Sequence, residues 1–260
     1  MILKEECGKK QIMKIKEILL NGGADLGIDI DDNKAEQLIQ YAELLKEWNE
    51  KINLTAICDD EGIAVKHFLD SATALCTGKV GKSIIDVGTG AGFPGLVLKI
   101  LKPEADVTLM DSLNKRITFL NDVIEKTSIE KIETVHLRAE DGAKKTEYRE
   151  KFDTAVSRAV ARLPVLAEYC LPYVKVGGYF LALKGPVADE ELKEAKRAIS
   201  ILGGEVESVF DAKIPYSDLN HKIIIIKKVR HTPIKYPRKS ALISKIPIEQ
   251  CYKISKNTAK

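Results

Sequence analysis

The chain has 260 residues, of which 45% are hydrophobic and 30% charged, a composition that excludes a disordered or collagen-like protein. No apolar stretch approaches the roughly 20 residues that a membrane-spanning helix needs, which excludes a helical membrane protein. The formal net charge of +3 hides an asymmetry, because residues 211–260 carry 12 lysines and arginines against three acidic residues. Such a basic end is typical of chains that bind a polyanion, although a solvated lysine tail gives the same count.

The first 80 residues predict helices and no strands. Apolar residues at helical spacing predict a first helix that ends at the Asn-Gly-Gly sequence of residues 21–23. Asn33 followed by Glu36 resembles a capping box and predicts the start of a second helix. A third helix is expected over residues 62–76. Residues 1–80 are therefore interpreted as an N-terminal helical extension, and because they lack the features of a secretory signal we expect a cytoplasmic protein.

From residue 82 onwards, short β-branched runs alternate with helical stretches. The alternation predicts an α/β fold in which a mostly parallel sheet carries helices on both faces. The predicted strands are 83–88, 106–111, 131–137, 152–157, 178–184, 204–210 and 221–229, of which the last two form an edge hairpin. The predicted helices between them are 94–101, 114–126, 164–175 and 189–202. We interpret residues 81–229 as the core and residues 230–260 as an irregular basic tail that packs with it.

The most informative segment is the glycine loop DVGTGAGFPG of residues 86–95, which lies between the first predicted strand and the next helix. Glycines let backbone amides approach a ligand closely, so a strand, a glycine loop and a helix in this order bind ligands at the carboxyl end of the sheet. Gly90, Gly92 and Gly95 fit the dinucleotide spacing G-x-G-x-x-G, and Asp111 ends the second strand. A nicotinamide-dependent oxidoreductase is therefore one candidate.

Asp86 favours a different cofactor. At the end of the first strand, its carboxylate is expected to repel the pyrophosphate of a dinucleotide by an energy on the order of kcal/mol. S-adenosylmethionine carries no phosphate and presents an ammonium and a sulfonium group, so the same carboxylate attracts it. Asp111 is expected to accept hydrogen bonds from the ribose, and Glu140 either accepts one from the adenine amine or only begins a helix. The loop therefore favours a methyltransferase.

The end of the fourth strand bears on the methyl acceptor. Methylation of an exocyclic amine typically uses an Asn/Asp-Pro-Pro-aromatic loop here, which the sequence SRAV of residues 157–160 does not match. Methylation of a pyrimidine carbon needs a thiol nucleophile, and Cys170 falls inside a predicted helix. A ring nitrogen such as guanine N7 already bears a lone pair, so the enzyme need only align it and exclude water. Arg158 and Arg162 suit a phosphate or a guanine edge.

Eight blocks of sequence, spread over most of the chain, carry a resemblance to a known family. They are residues 53–56 (NLTA), 67–71 (HFLDS), 86–96 (DVGTGAGFPGL), 109–120 (LMDSLNKRITFL), 138–141 (RAED), 152–163 (FDTAVSRAVARL), 175–185 (KVGGYFLALKG) and 236–239 (YPRK). With these blocks the chain resembles the RsmG/GidB family of bacterial 16S rRNA (guanine-N7) methyltransferases. One departure is at Ser240 and Ala241, which replace the glycine expected after YPRK. The resemblance implies a class I (Rossmann-like) S-adenosylmethionine-dependent methyltransferase fold, with a seven-stranded, mostly parallel sheet and an N-terminal helical extension.

The resemblance also implies a reaction and its partners. The reaction is methyl transfer from S-adenosylmethionine to N7 of a guanine in the 530 loop of 16S rRNA. The expected partner is 16S rRNA or the 30S ribosomal particle, and the protein is expected to act as a monomer away from membranes. The expected cofactor-binding residues, with Asp111 at the ribose and Asp86 supporting the loop, are Asp86, Gly88, Gly90, Gly92, Phe93, Asp111, Ala139, Glu140 and Arg158.

Further polar residues are candidates for the acceptor pocket and for contacts with RNA phosphates. The acceptor-pocket candidates are His67, Asp70, Arg158 and Lys184. The RNA-binding candidates are Lys115, Arg116, Arg162, Lys184, Arg238 and Lys239. His67 and Asp70 are one helical turn apart, so either the carboxylate orients the imidazole in a catalytic pair or the two side chains only pack together. No catalytic role is assigned to them.

Two other functions remain open at this point. The glycine spacing alone also fits the nicotinamide-dependent oxidoreductase, and a chain that kept the fold without activity would be a non-catalytic RNA-binding ribosome assembly factor. The five cysteines are scattered and never spaced C-x-x-C, so no metal site or disulfide framework is expected.

Overall fold

Within residues 2–248, seven strands form one sheet in the order β3-β2-β1-β4-β5-β7-β6. The chain is described here by a computed structural model that covers residues 2–248, with side chains from residue 13 onwards, so residues 249–260 of the predicted tail lie outside it. The strands are Ser83–Val87 (β1), Asp106–Asp111 (β2), Ile132–His136 (β3), Phe152–Arg158 (β4), Val174–Lys184 (β5), Gly204–Lys213 (β6) and Asn220–Lys228 (β7). Strands β1 to β5 are parallel, whereas β7 is antiparallel to β5 and β6. The predicted class I, doubly wound sheet with its edge hairpin is confirmed.

Helices cover both faces of this sheet. They are Ile2–Asp25 (α1), Asp32–Asn49 (α2), Asp60–Ile63 (α3), Asp70–Cys76 (α4), Gly95–Leu101 (α5), Asn114–Lys126 (α6), Ala139–Gly142 (α7), Leu163–Cys170 (α8), Ala188–Ile201 (α9) and Ser240–Lys245 (α10). A π-helical turn, Ala64–Leu69, joins α3 to α4, and a 3-10 turn, Leu171–Tyr173, follows α8. Within residues 2–248, none of these helices combines the length and apolar character needed to cross a bilayer.

Alternate residues of the strands face two hydrophobic cores. In β7, Ile223 and Ile225 pack in a core formed with the N-terminal helices, α5 and α6, whereas Ile224 and Ile226 pack with α8 and α9. This alternation follows from the two-residue period of a strand. The N-terminal helices therefore complete one face of the sheet instead of forming a separate core.

The predicted end of the first helix is wrong, because α1 continues through Gly22 and Gly23 to Asp25. A Cβ on Gly22 would lie 2.4 Å from Cδ1 of Leu69, and one on Gly23 would lie 2.6 Å from Cγ1 of Ile30. The two glycines thus serve the close approach of neighbouring segments, and they do not stop the helix.

Two other predicted helix boundaries also change. Helix α2 is capped by Asp31, not Asn33, because the Asp31 carboxylate accepts a hydrogen bond of 2.8 Å from the amide of Lys34. The helix predicted over 164–175 ends at Cys170, and β5 already begins at Val174.

The basic tail is anchored to the core and contains a short helix, α10, where the sequence predicted only irregular structure. Lys228, the last residue of β7, is fully buried and donates to the hydroxyl of Thr232 in the tail at 2.8 Å, while its ammonium lies 3.0 Å from the carboxylate of Glu150. Burial lowers the pKa of Lys228 to about 8, against the attraction of Glu150. The Arg238 guanidinium forms an ion pair of 2.7 Å with Glu168, whose side chain is 1% exposed.

Candidate functional site

Gly88 and Gly92 determine the shape of the glycine loop after β1. Their φ angles are +73° and +99°, in the left-handed region that residues with a Cβ rarely adopt. A Cβ on Gly88 would lie 2.6 Å from Cγ2 of Val160, and one on Gly92 would lie 2.5 Å from the hydroxyl of Tyr41. Glycine at these two positions therefore lets Val160 and Tyr41 approach the loop.

Asp86 lies beneath this loop and is fully buried. Its Oδ2 accepts hydrogen bonds of 2.7 Å from the Thr89 hydroxyl and 2.8 Å from the amide of Gly95. Burial raises the pKa of the Asp86 carboxyl to about 7, against these two hydrogen bonds. Because the carboxyl is enclosed behind the loop, the predicted attraction between its charge and the cofactor would act through the loop and not by direct contact. The supporting role implied by the resemblance agrees with the hydrogen bonds.

A first cavity, of about 560 Å³, opens at the carboxyl ends of β1, β2 and β4. Seven of the expected cofactor-binding residues line it, namely Gly88, Gly90, Phe93, Asp111, Ala139, Glu140 and Arg158. Asp86 and Gly92 do not line it, since they lie behind the loop and determine its conformation. The carboxyl edge of a doubly wound sheet is where such folds bind ligands, so this cavity is the candidate cofactor site.

Asp111 ends β2 and ties the loop to the wall of the first cavity. Its Oδ2 accepts hydrogen bonds of 2.9 Å from the Gly90 amide and 3.1 Å from Arg116, and its Oδ1 accepts one of 2.9 Å from the Leu113 amide. The side chain of Asp111 is only 2% exposed, so the carboxylate is held in one orientation. Arg116, a predicted RNA ligand, is thus paired at the cavity wall.

A second cavity, of about 600 Å³, adjoins the first. Four residues line both cavities: His67, Arg158, Ala159 and Val160. Ala159 has a φ of +57°, a strained conformation for a residue with a Cβ, and this turn places Val160 against Gly88. The two cavities therefore meet at the end of β4.

The π-helical turn Ala64–Leu69 leaves a backbone carbonyl available for a contact with Arg158 at this junction. The amide of Asp70 donates to the carbonyl of Val65 and so bypasses that of Lys66, its partner in a regular α-helix. The carbonyl of Lys66 instead accepts a hydrogen bond of 3.2 Å from NH1 of Arg158. A local departure from α-helical geometry thus helps to hold an arginine from the sheet.

Asp70 lies between two basic side chains that come from different strands. Its Oδ2 accepts a hydrogen bond of 2.5 Å from NH1 of Arg158, and its Oδ1 is 2.7 Å from Nδ1 of His221. Burial by itself would raise the pKa of Asp70, but the hydrogen bond from His221 and the charge of Arg158 outweigh it and hold the pKa below its ordinary value. The carboxylate is therefore ionised at neutral pH.

His67 has a different set of partners. Its Nδ1 is 3.2 Å from NH2 of Arg158, its Nε2 is 2.8 Å from the Thr55 hydroxyl, and its ring stacks on Phe93 with 4.4 Å between centroids. Burial, followed by the charge of Arg158, lowers the pKa of His67 to about 4. Nδ1 also lies 3.2 Å from the carbonyl oxygen of Lys66, so it faces a donor in Arg158 and an acceptor in Lys66. Asp70 does not orient His67, which contradicts the catalytic-pair interpretation and agrees with the packing alternative.

Two predicted RNA ligands are engaged inside the protein. Lys184 is 9% exposed, donates to the carbonyl of Ala161 at 2.6 Å and lies 2.8 Å from Glu191, although it also lines the second cavity. Arg238 is committed to the buried carboxylate of Glu168. These contacts correct the prediction that both side chains bind RNA phosphates. The predicted RNA ligands that remain exposed are Lys115, Arg162 and Lys239.

The structure brings in residues that the sequence did not single out for the site. Thr55 and His221 contact the cluster around Arg158, and Tyr169 and Ser240 line the first cavity with their oxygens 3.3 Å apart. Tyr169 lies on α8, and Ser240 begins α10 in the tail. Thr55 lies in the NLTA block that carries the family resemblance, whereas Tyr169, His221 and Ser240 lie outside the eight blocks and reach the site through packing of distant segments.

A family model and two similar proteins point to the same family. The model of the GidB family, described as rRNA small subunit methyltransferase G, matches residues 34–220. The ribosomal RNA small subunit methyltransferase G of Clostridium novyi is 53% identical over 238 residues, which cover 90% of this chain and 98% of that protein. That of Clostridium tetani is 50% identical over 239 residues, covering 91% of this chain and 100% of that protein.

Proposed function

The chain belongs to the rRNA small subunit methyltransferase G family, and we propose that it transfers a methyl group from S-adenosylmethionine to N7 of a guanine in the 530 loop of 16S rRNA. Membership of a methyltransferase family decides against the nicotinamide-dependent alternative that the glycine spacing left open. The observation that carries the finer proposal is the pair of adjoining cavities that meet at Arg158. Both have volumes in the range of small-molecule sites.

The first cavity suits the methyl donor. Gly88 and Gly90 expose backbone at its wall, and Asp111 offers a fixed carboxylate for ribose hydroxyls. Glu140 also lines this cavity and can accept a hydrogen bond from the adenine amine. S-adenosylmethionine supplies a methyl group on a sulfonium, from which a neutral thioether departs. The role of the chain's own residues is to hold this donor with its methyl group toward the end of β4.

The second cavity suits the acceptor base. N7 of guanine bears a lone pair, so no residue has to remove a proton before the methyl group is transferred. This agrees with the site, because both nitrogens of His67 and both carboxylate oxygens of Asp70 are already engaged. Arg158 and Val160 line both cavities and are therefore placed to orient the base and exclude water.

The exposed basic residues are proposed to contact the phosphates of the RNA backbone. Lys115, Arg162 and Lys239 are solvent-accessible cations in segments that begin α6, follow β4 and precede α10. Phosphate contacts of this kind position an RNA without reading its sequence, while the cavity selects the base. We assign the 30S particle or its 16S rRNA as the partner, in the cytoplasm, with the protein acting as a monomer.

Radiolabelled methyl transfer to 30S particles that lack the modification tests this proposal. The label is expected on a single guanine of the 530 loop, and chemical cleavage at 7-methylguanosine followed by primer extension maps it. Particles that already carry the methyl group are the matched control and should accept none. Transfer to another base, or binding to the particles without transfer, would contradict the proposal, and the second result would favour a non-catalytic assembly factor.

A further inference from the structure

One histidine of the second cavity has no role in the reaction described so far. His221 is the second residue of β7, and 151 positions separate it from Asp70, whose carboxylate it contacts. Its side chain is 28% exposed and lines the second cavity. Because β7 is antiparallel to β5, its first residues lie at the edge where the parallel strands end, beside the junction of the two cavities.

The contact determines where His221 carries a hydrogen. An ionised carboxylate only accepts hydrogen bonds, so Nδ1 of His221, 2.7 Å from Oδ1 of Asp70, must be the donor. This holds for the neutral ring and for the charged one. Among residues 13–248, Nε2 of His221 has no hydrogen-bond partner, so its contact with the protein's polar network runs through Nδ1.

Asp70 transmits this contact to Arg158. The Asp70 side chain is 3% exposed, and its two oxygens are divided between His221 and Arg158. Loss of the donor at Oδ1 would leave a buried acceptor unsatisfied and favour the protonated carboxyl, which attracts a guanidinium less strongly. Arg158 would then lose its strongest anchor at the point where the two cavities meet.

We propose that His221 is a positioning residue for methyl transfer, because its Nδ1–H holds the Asp70 carboxylate, which in turn holds the Arg158 guanidinium between donor and acceptor cavities. No proton or electron pair moves through His221. The inference rests on the proposed function, since it concerns alignment in that reaction. His221 comes from the antiparallel strand β7 and Arg158 from β4, so the alignment depends on the relative placement of these strands.

Three substitutions at one position separate this role from simple packing. His221→Asn places an amide N–H near the position of Nδ1, His221→Gln displaces it by one bond, and His221→Phe keeps a ring without a donor. We expect the Gln and Phe variants to lose about ten- to a hundredfold in kcat/KM for 30S particles, as for loss of a hydrogen bond to a charged group. The Asn variant should recover most of this loss.

Two further measurements accompany the rates. The melting temperature of the Gln and Phe variants should fall by only a few degrees, because a single acceptor on Asp70 loses its donor. Calorimetric affinity for S-adenosylmethionine should change less than kcat/KM in all three variants, because His221 does not line the first cavity and Arg158 is one of seven expected cofactor-binding residues that do. His231→Phe is the matched control, since Nδ1 of His231 lies 2.6 Å from a Glu150 oxygen but the residue lines neither cavity. It should methylate 30S particles at the wild-type rate.

The outcomes are distinct. Wild-type rates in the Phe variant, or an Asn variant no faster than the Phe variant, would overturn the positioning role while leaving the proposed function intact. Absence of methyl transfer by the wild-type protein would overturn the proposed function itself. A double variant Asp70→Asn/His221→Phe no slower than Asp70→Asn alone would support transmission through Asp70, whereas fully additive losses would contradict it.

Discussion

At the scale of single residues, Arg158 is the side chain on which the junction of the two cavities depends. Its NH1 donates to the carbonyl of Lys66 and to Asp70, its NH2 lies 3.2 Å from Nδ1 of His67, and its guanidinium carbon lies 4.9 Å from the centre of the Phe93 ring. A planar cation with several fixed donors can make all these contacts at once. A lysine, with one flexible ammonium, cannot replace it.

Substitution of Asp111 tests the assigned donor cavity. Asp111→Ala should weaken binding of S-adenosylmethionine by about 1 to 3 kcal/mol, because it removes a hydrogen-bonded carboxylate from the cavity wall. Isothermal titration calorimetry measures the change directly. Asp106→Ala is the matched control, since Asp106 is an exposed acid at the opposite end of the same strand, and it should bind the cofactor normally. Unchanged affinity of the Asp111→Ala variant would contradict the proposal that Asp111 binds the ribose hydroxyls.

The protonation of His67 is a second prediction at this scale. The pKa of His67 is lowered to about 4 by burial and by Arg158, so the imidazole should remain neutral between pH 5 and 8. Long-range ¹H–¹⁵N spectra report the titration midpoint, and His67→Gln identifies the signal. A midpoint near 6.5 would contradict the lowered pKa that burial beside Arg158 produces.

The same shift has a consequence for stability. Because the folded pKa lies below the ordinary value of 6.5, the unfolded chain binds more protons at pH values between about 4 and 6.5. The contribution of His67 to the free energy of unfolding is therefore complete above pH 6.5 and is lost as the pH falls toward 4. Urea unfolding of the wild-type and His67→Gln proteins at pH 5 and 7.5 should show this difference.

At the scale of elements, the basic tail has a structural role that its charge did not reveal. Thr232 and Tyr236 provide carbonyls that accept hydrogen bonds from Arg149, and Arg238 pairs with Glu168 on α8. Helix α10 follows directly and brings Ser240 to the wall of the first cavity. The tail therefore combines exposed cations, such as Lys239, with buried anchors.

Paired substitutions distinguish buried from exposed arginines. Arg238→Leu should lower the free energy of unfolding by about 3 to 5 kcal/mol, because it leaves the Glu168 carboxylate buried without its cation. Arg162→Leu is the matched control, since its pair with Glu194 is exposed and should contribute less than about 1 kcal/mol. Urea denaturation followed by circular dichroism compares the two. Equal effects would show that the buried pair in the tail stabilises the fold no more than the exposed pair does.

At the scale of the whole molecule, the N-terminal helices pack against one face of the sheet and form one of the two hydrophobic cores with it. Trp48 of α2 donates a hydrogen bond of 2.7 Å to Asp122 of α6, and its ring lies 5.9 Å from that of Phe119. Contacts of this kind make separate unfolding of residues 1–80 and 81–229 unfavourable. We propose that these segments and the tail form a single folding unit.

Trp48 is the only tryptophan of the chain, so its fluorescence can test whether the chain unfolds as a single unit. Trp48 fluorescence reports the N-terminal extension, whereas far-ultraviolet circular dichroism reports the entire chain. Both signals should follow the same urea transition, as expected for a cooperative two-state unit. A fluorescence transition at a lower urea concentration would show that the extension unfolds first and would contradict the single unit.

The local sequence pattern was sufficient to predict most of the helices and strands and the glycine loop that lines the first cavity. Strand β2 and helix α6 have the predicted bounds, and the loop from Gly88 to Gly92 lies at the expected sheet edge. These features follow from hydrophobic periodicity and turn chemistry, which act over a few residues and are therefore visible in sequence. The resemblance of eight blocks to a methyltransferase family agrees with the family match over residues 34–220.

Only the tertiary structure decided which charges are used and where. Asp86 lies behind its loop, Arg238 is paired with a buried acid, and His221 reaches Asp70 from 151 positions away. Gly22 and Gly23 have the composition of a helix stop but occupy a close contact inside α1. A sequence states which groups can ionise or bend, whereas burial and the partners brought by packing of distant segments decide what each group does.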